Sequence, residues 1–251
     1  MPTQATQTSL HPAGLEGLRI FQEGIATDAT IRFGINKVKV HKMILIARSD
    51  WFKAAFRDSS HVVIDISEPV EPMLVEWMLE WCYTGVLSPF YEKAKLAFLD
   101  FDACLRFMRV ADYFLLEDLQ SQLRVLIQAG VHELFRYSMR KIVPTKRHAF
   151  DGEHIRGMYA EYFKAVEFAY ATEDLWAQRV FIEMVEHTHM WLFVNPYFRI
   201  LCKKIVPFYR ILYEKFVDIV AEKWWTAHPR GDCFFCGATP RGSEGDEDEV
   251  Y

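Results

Sequence analysis

Residues 28–56 read DATIRFGINKVKVHKMILIARSDWFKAAF, and their reading decides the fold. From Ala29 to Phe33 the side chains alternate: Ala29, Ile31 and Phe33 fall on one face, Thr30 and Arg32 on the other. That period of two is the mark of a half-buried strand. Gly34, Ile35 and Asn36 supply a short connection, and the return strand Lys37 to Val40 turns Val38 and Val40 inward and Lys37 and Lys39 outward. The pair reads as a β-hairpin. After Val40 the period changes to that of a helix. Met43, Ile44 and Ala47 share a face, Ser49 is placed to cap a second helix, and Trp51, Phe52, Ala55 and Phe56 give that helix an apolar stripe.

Working outward, Val62, Ile64 and Ile66 alternate with Val63, Asp65 and Ser67 as a third short strand. Pro69 and Pro72 then punctuate the start of a helix. Its apolar face is Leu74, Trp77, Met78, Trp81 and Cys82. A further helix begins with Phe101, Cys104, Leu105 and Met108, and the next carries Leu115, Leu119, Leu123, Leu126 and Ile127 and is expected to end near Gly130. Upstream, Leu15, Leu18 and Phe21 predict a short helix, and residues 1–14, polar with Pro and Gly, are expected to be disordered.

Several short runs in this order resemble a BTB/POZ domain of the style found in many fungal proteins. They are Asp28 at the head of the first strand, VHKMIL from Val40 to Leu45, Ser49 before the aromatic helix and the strand around His61 to Ile66. CYTG from Cys82 to Gly85 and ADYFLLEDL from Ala111 to Leu119 complete the set. The resemblance implies an α+β fold, a small three-stranded sheet with a helical cluster, followed here by an all-α extension. The expected organisation is a disordered 1–14, a BTB/POZ domain over 15–130, a helical extension over 131–228, and a CxxC segment with an acidic disordered tail over 229–251. In the extension, helices are predicted at about 153–170, 173–188 and 205–226, after a linker-like stretch with Pro144, Lys146, Arg147 and His148.

Composition agrees. The chain has 251 residues, 51% hydrophobic and 15% aromatic, enough to bury a substantial core. Its formal charge of -5 is matched by Glu244, Asp246, Glu247, Asp248 and Glu249, so residues 1–243 sum to zero. A neutral body argues against a duplex nucleic-acid binder, and no direct nucleic-acid partner is expected. Five scattered cysteines suit a reducing compartment, and the sequence offers neither a signal peptide nor a membrane span. The expectation is a protein of the cytoplasm or nucleus.

Three constellations bear on function. The first is Asp28 with His41 and Lys42. The resemblance places Asp28 and Lys42 in a pocket near a subunit interface, together with Leu15 and Leu18 of an N-terminal helix that packs on a partner subunit. The alternative is that Asp28 caps a turn and Lys42 is solvated, while His41 is read as a hydrogen-bonded structural residue rather than a catalyst. The second is Cys233-Phe-Phe-Cys236, the shape of a zinc knuckle, with His228 five residues upstream as a third ligand. A structural zinc needs four, so free thiols or a site shared with another chain stand beside the metal reading. The third is the aromatic content of the second half, from Trp176 to Trp225, read chiefly as core; the adjacent pair Trp224 and Trp225 is the best candidate for an exposed anchor, since neighbours in sequence cannot both face one core.

No GxGxxG, P-loop, GxSxG or HExxH is present, so the chain is read as a non-enzyme without a cofactor. The resemblance implies a protein–protein interaction module: a homodimeric scaffold, or a substrate adaptor for a cullin-type ubiquitin ligase. For the latter, the partner surface would run over Trp51, Phe52, Phe56 and Asp58. A zinc-binding regulatory or nucleic-acid-associated factor using Cys233 and Cys236 is the alternative.

Overall fold

The computed structural model describes residues 12–57, 63–66, 70–87, 99–142, 152–187, 191–194 and 196–226. The chain divides into two compact units, Met1–Ala177 and Gln178–Tyr251.

In the first unit, α1 (Pro12–Glu23) leads to the hairpin β1 (Ala29–Phe33) and β2 (Asn36–Val40). Two short helices follow, α2 (Lys42–Arg48) and α3 (Asp50–Ala55), and then β3 (Val63–Ile66). The hairpin is the one the alternation predicts, with Ala29, Ile31, Phe33 and Val40 buried and register running from Ala29↔Val40 to Phe33↔Asn36. Gly34 takes φ 57°, the left-handed value that a tight two-residue turn requires at its first central position, and Ile35 stands at the tip fully in solvent. β3 joins the far side of β1 in parallel, Thr30↔Val63 to Phe33↔Ile66, giving strand order β2-β1-β3. Ile64 and Ile66 continue the buried face, while Arg32 and Asp65 form a bidentate ion pair on the exposed one. That contact holds Asp65 below the usual carboxylate range, chiefly through the hydrogen bond from Arg32. Lys37 and Lys39 line the solvent side of the outer strand, charges that discourage edge-to-edge pairing.

The helices close over this sheet. Ser49 is extended (φ -142°), ends α2 and caps α3 by accepting the Phe52 N–H. α4 (Pro72–Thr84) starts with Pro at its first turn and buries Leu74, Val75, Met78, Leu79, Trp81 and Cys82. It packs against α1, α2 and α5 (Phe101–Tyr113), which is capped by Asp100 accepting the Ala103 N–H at 3.0 Å. α5 in turn packs on α6 (Glu117–Ile142) and α7 (Gly152–Ala171). The helix expected to stop near Gly130 therefore runs twelve residues further. Gly130 is buried, and a Cβ there would lie 2.7 Å from Leu99 Cδ2 and 3.1 Å from Phe101 Cε1. The glycine serves close packing, not termination. Likewise α1 begins at Pro12 rather than Leu15, with Gly14 already buried.

The chain after α6 is helical wherever it is described. α8 (Leu175–His187) carries the division between the units. The second unit continues with two short helices not foreseen from periodicity, α9 (Trp191–Val194) and α10 (Pro196–Cys202), and ends in α11 (Val206–Thr226). Its core is aromatic: Phe181, Phe198 and Phe208 are buried, and the Phe193 ring lies 5.6 Å from both Tyr209 and Phe216.

Candidate functional site

The first unit presents two surfaces where apolar side chains are held out of the core by fixed backbone. The first is a groove of about 470 Å³ lined by Arg19, Ile20, Glu23, Ile25, His41, Met43 and Ile44. Its floor is set by how α1 meets α4. Gly17 lets the backbones touch, and the Phe21 ring packs 4.9 Å from that of Tyr83. Tyr83 then organises the wall. Its hydroxyl accepts the His41 backbone N–H at 2.8 Å and lies 3.0 Å from His41 Nδ1, while His41 Nε2 is 2.8 Å from the Ile25 carbonyl oxygen. A carbonyl only accepts, so Nε2 carries the proton and Nδ1 accepts from the tyrosine hydroxyl. Burial pushes the Tyr83 phenol up, which keeps it a neutral donor. Over this wall Ile25 is 66% exposed and Met43 73% exposed.

Asp28 and Lys42 do meet beside this groove, through the main chain: Asp28 Oδ1 accepts the Lys42 backbone N–H at 2.8 Å. His41 precedes α2 without giving its side chain to a cap, so Asp28 satisfies one of the amide donors that begin the helix. The Lys42 ammonium sits 5.6 Å from the centre of the Phe56 ring. On α1, Leu15 is exposed and Leu18 half-buried.

The second surface lies where α3 meets the turn between α5 and α6. The half-buried Trp51 ring is 4.9 Å from Phe114, 5.0 Å from Phe52 and 6.0 Å from Tyr113. Ser49 Oγ donates to the Phe114 carbonyl at 2.6 Å while accepting from Phe52, so one buried hydroxyl ties the helix to the turn. Leu115 follows at φ 52° and is 53% exposed. A leucine in the left-handed region costs roughly 1–2 kcal/mol, and here the strained residue also faces water. Tyr113 is exposed beside it.

Two of the side chains expected on this surface are not there. Phe52 and Phe56 are buried, Phe52 stacking on Phe114 at 5.5 Å and on Phe56 at 6.1 Å. The apolar stripe of α3 is its inward face, which leaves Trp51 at the margin. Tyr113 and Leu115 belong to the surface instead, and the signal for them was the unbroken apolar run Tyr113 to Leu116, too long for one face of a turn. Asp58, His228, Cys233 and Cys236 lie outside the described residues, as do the side chains of Trp224 and Trp225.

Among the described residues no group of three or more His, Cys, Asp or Glu is placed to hold a metal ion. Cys82, Cys104 and Cys202 are buried and free, and burial raises all three thiols, Cys82 to about 12. No helix among the described residues is long and apolar enough to cross a membrane.

Residues 18–129 match the family model of the BTB/POZ domain. Among solved structures, the BTB domain of zebrafish PATZ1 is similar at 19% identity and a TM-score of 0.37, over 51% of this chain and 99% of that one. The BTB domain of human Gigaxonin is similar at 22% identity and a TM-score of 0.35, over 49% of this chain and 96% of that one.

Proposed function

We propose that residues 18–129, which match the family model of the BTB/POZ domain, act as a protein–protein interaction module, and that the chain pairs with a second copy through the α1–α2 groove and offers Trp51, Tyr113 and Leu115 to a cullin-type scaffold. The observation that carries the first half is the exposure of Ile25 and Met43 above a wall fixed by His41 and Tyr83. A backbone already held in place leaves only the side chains themselves to be ordered on docking. A two-fold interface also uses each of them twice.

Full burial of such a side chain is worth about 1.5–3 kcal/mol. Placing a carboxylate there in both copies therefore weakens pairing by about a hundredfold or more. Light scattering across a dilution series is expected to show self-association of the wild type that Met43→Asp shifts to about hundredfold higher concentration. A wild-type monomer at every concentration removes the reading.

The second surface is supported by Leu115, an apolar side chain left 53% exposed at the left-handed position where the Leu116 N–H bonds the Ala111 carbonyl and ends α5. Asn adopts positive φ more readily than Leu. Leu115→Asn is expected to leave the chain as stable as wild type or more so, while losing capture of a cullin scaffold in a pull-down. A wild-type chain that captures none at micromolar protein discards the adaptor role.

A further inference from the structure

We propose that α11 pairs antiparallel with α11 of a second copy of this chain, through the outward stripe of Val206, Arg210, Tyr213 and Val217. The 21 residues of α11 give it a length of about 30 Å. Its inward face is settled: Phe208 and Leu212 are fully buried. A helix with one partner is expected to be polar on its other side. Here Val206 is 68% exposed, Tyr213 51% and Val217 43%. Positions 206, 210, 213 and 217 are spaced four, three and four apart, the rhythm of a seam between two helices. Tyr213 is held in place for such a contact, its ring stacked on that of Tyr209 with centroids 6.1 Å apart.

Charge selects both the occupant and the direction. Along the exposed side of α11, Arg210 lies toward the N-terminus and Glu214 and Asp218 toward the C-terminus. Arg210 Nε is 3.5 Å from Glu214 Oε1, an exposed pair one turn apart that leaves Asp218 for another cation. In a parallel pair Arg210 would face Arg210 and Asp218 would face Asp218. Turned antiparallel and crossed between Tyr213 and Val217, the two helices set Arg210 of each beside Asp218 of the other. The two Tyr213 rings and the two Val217 side chains then fill the middle, and the helix dipoles oppose one another favourably. The surface is thus complementary to itself in one orientation only.

This inference does not depend on the α1–α2 groove, and the experiment keeps the two apart. The full chain carrying Met43→Asp is followed by sedimentation velocity over a dilution series. A reversible monomer–dimer equilibrium is expected. Asp218→Arg turns two attractive exposed pairs repulsive and is expected to weaken it about tenfold. Adding Arg210→Asp inverts both pairs and is expected to restore the affinity, while Val217→Asp abolishes it. A monomer throughout, a dimer indifferent to Asp218→Arg, or a double reversal as weak as the single one overturns the proposal. Rescue by the double reversal is a result that damage to the fold of α11 cannot produce.

Discussion

Gly17→Ala is expected to destabilise the chain although it replaces the poorest helix former but proline with the best. A Cβ built at Gly17 lies 2.2 Å from the Tyr83 carbonyl oxygen and 2.9 Å from its carbonyl carbon. Ordinary C···O contacts lie at about 3.3–3.6 Å, so α1 must retreat by about 1 Å. The obstacle is main chain within α4 and cannot swing aside. Overpacking of this kind costs about 1–3 kcal/mol, against a gain of about 1 kcal/mol from helix propensity. The net expectation is a loss of up to about 2 kcal/mol. With a urea slope near 2 kcal/mol per molar, the midpoint falls by up to about 1 M. Gly157→Ala is the control, because α7 has nothing within 4 Å of the new methyl group. There the same substitution is expected to stabilise by about 0.5–1 kcal/mol. Urea unfolding followed by tryptophan fluorescence reads both. A Gly17→Ala midpoint at or above wild type refutes the close approach of α1 to α4, and with it the geometry of the groove.

Other consequences can be measured singly. Ser49→Ala removes the cap of α3 and the buried bond to the Phe114 carbonyl together, and is expected to cost about 2–4 kcal/mol in the same assay. Asp65 is expected to titrate below an ordinary aspartate by carboxyl NMR and to return to the normal range in Arg32→Gln. Since its folded value is the lower one, the stability it adds is present above the unfolded value and lost as pH falls through the folded one. Cys82 behaves in the opposite sense. An unfolded thiol ionises near 8.5, while the buried one keeps its proton to about 12. Stability is therefore expected to fall between those limits by about 1.4 kcal/mol per pH unit from this group. Cys82 is also expected to resist alkylation at pH 8 until denaturant is added, as are Cys104 and Cys202.

The parts legible in the sequence are those governed by period. Alternation in β1 to β3 specified which strand residues face inward, and Ser49 before an apolar stripe located the α2–α3 junction. What period leaves open is the layer to which a stripe turns. Phe52 and Phe56 make α3 amphipathic whether that face meets the core or a partner, and Phe114, which decides the matter, is more than fifty residues away. Gly130 was ambiguous for a related reason: glycine marks a helix end when the backbone must turn over, and mid-helix packing when a neighbour crowds it. Only the position of Leu99 distinguishes these. Leu115, assigned by period to the apolar face of the next helix, instead precedes that helix and faces solvent, because leucine carries no mark of positive φ and the turn imposes it through the Leu116 N–H bonding to the Ala111 carbonyl. Asp28 and Lys42 meet through a main-chain donor, which leaves no trace in the choice of side chain.

The central strand has neighbours acquired over very different spans of chain, and this sets an order of assembly. β1 finds β2 across a two-residue turn, a closure on the microsecond scale. Its other neighbour begins at Val63, 33 residues beyond the paired Thr30, and runs parallel. That strand can dock only after α2 and α3 have shortened the intervening chain, since the entropy of closing so long a loop is not offset by four paired residues. The hairpin is thus the early, reversible piece. Mutations in α2 and α3 should slow the arrival of β3, while those in β3 should chiefly hasten its departure.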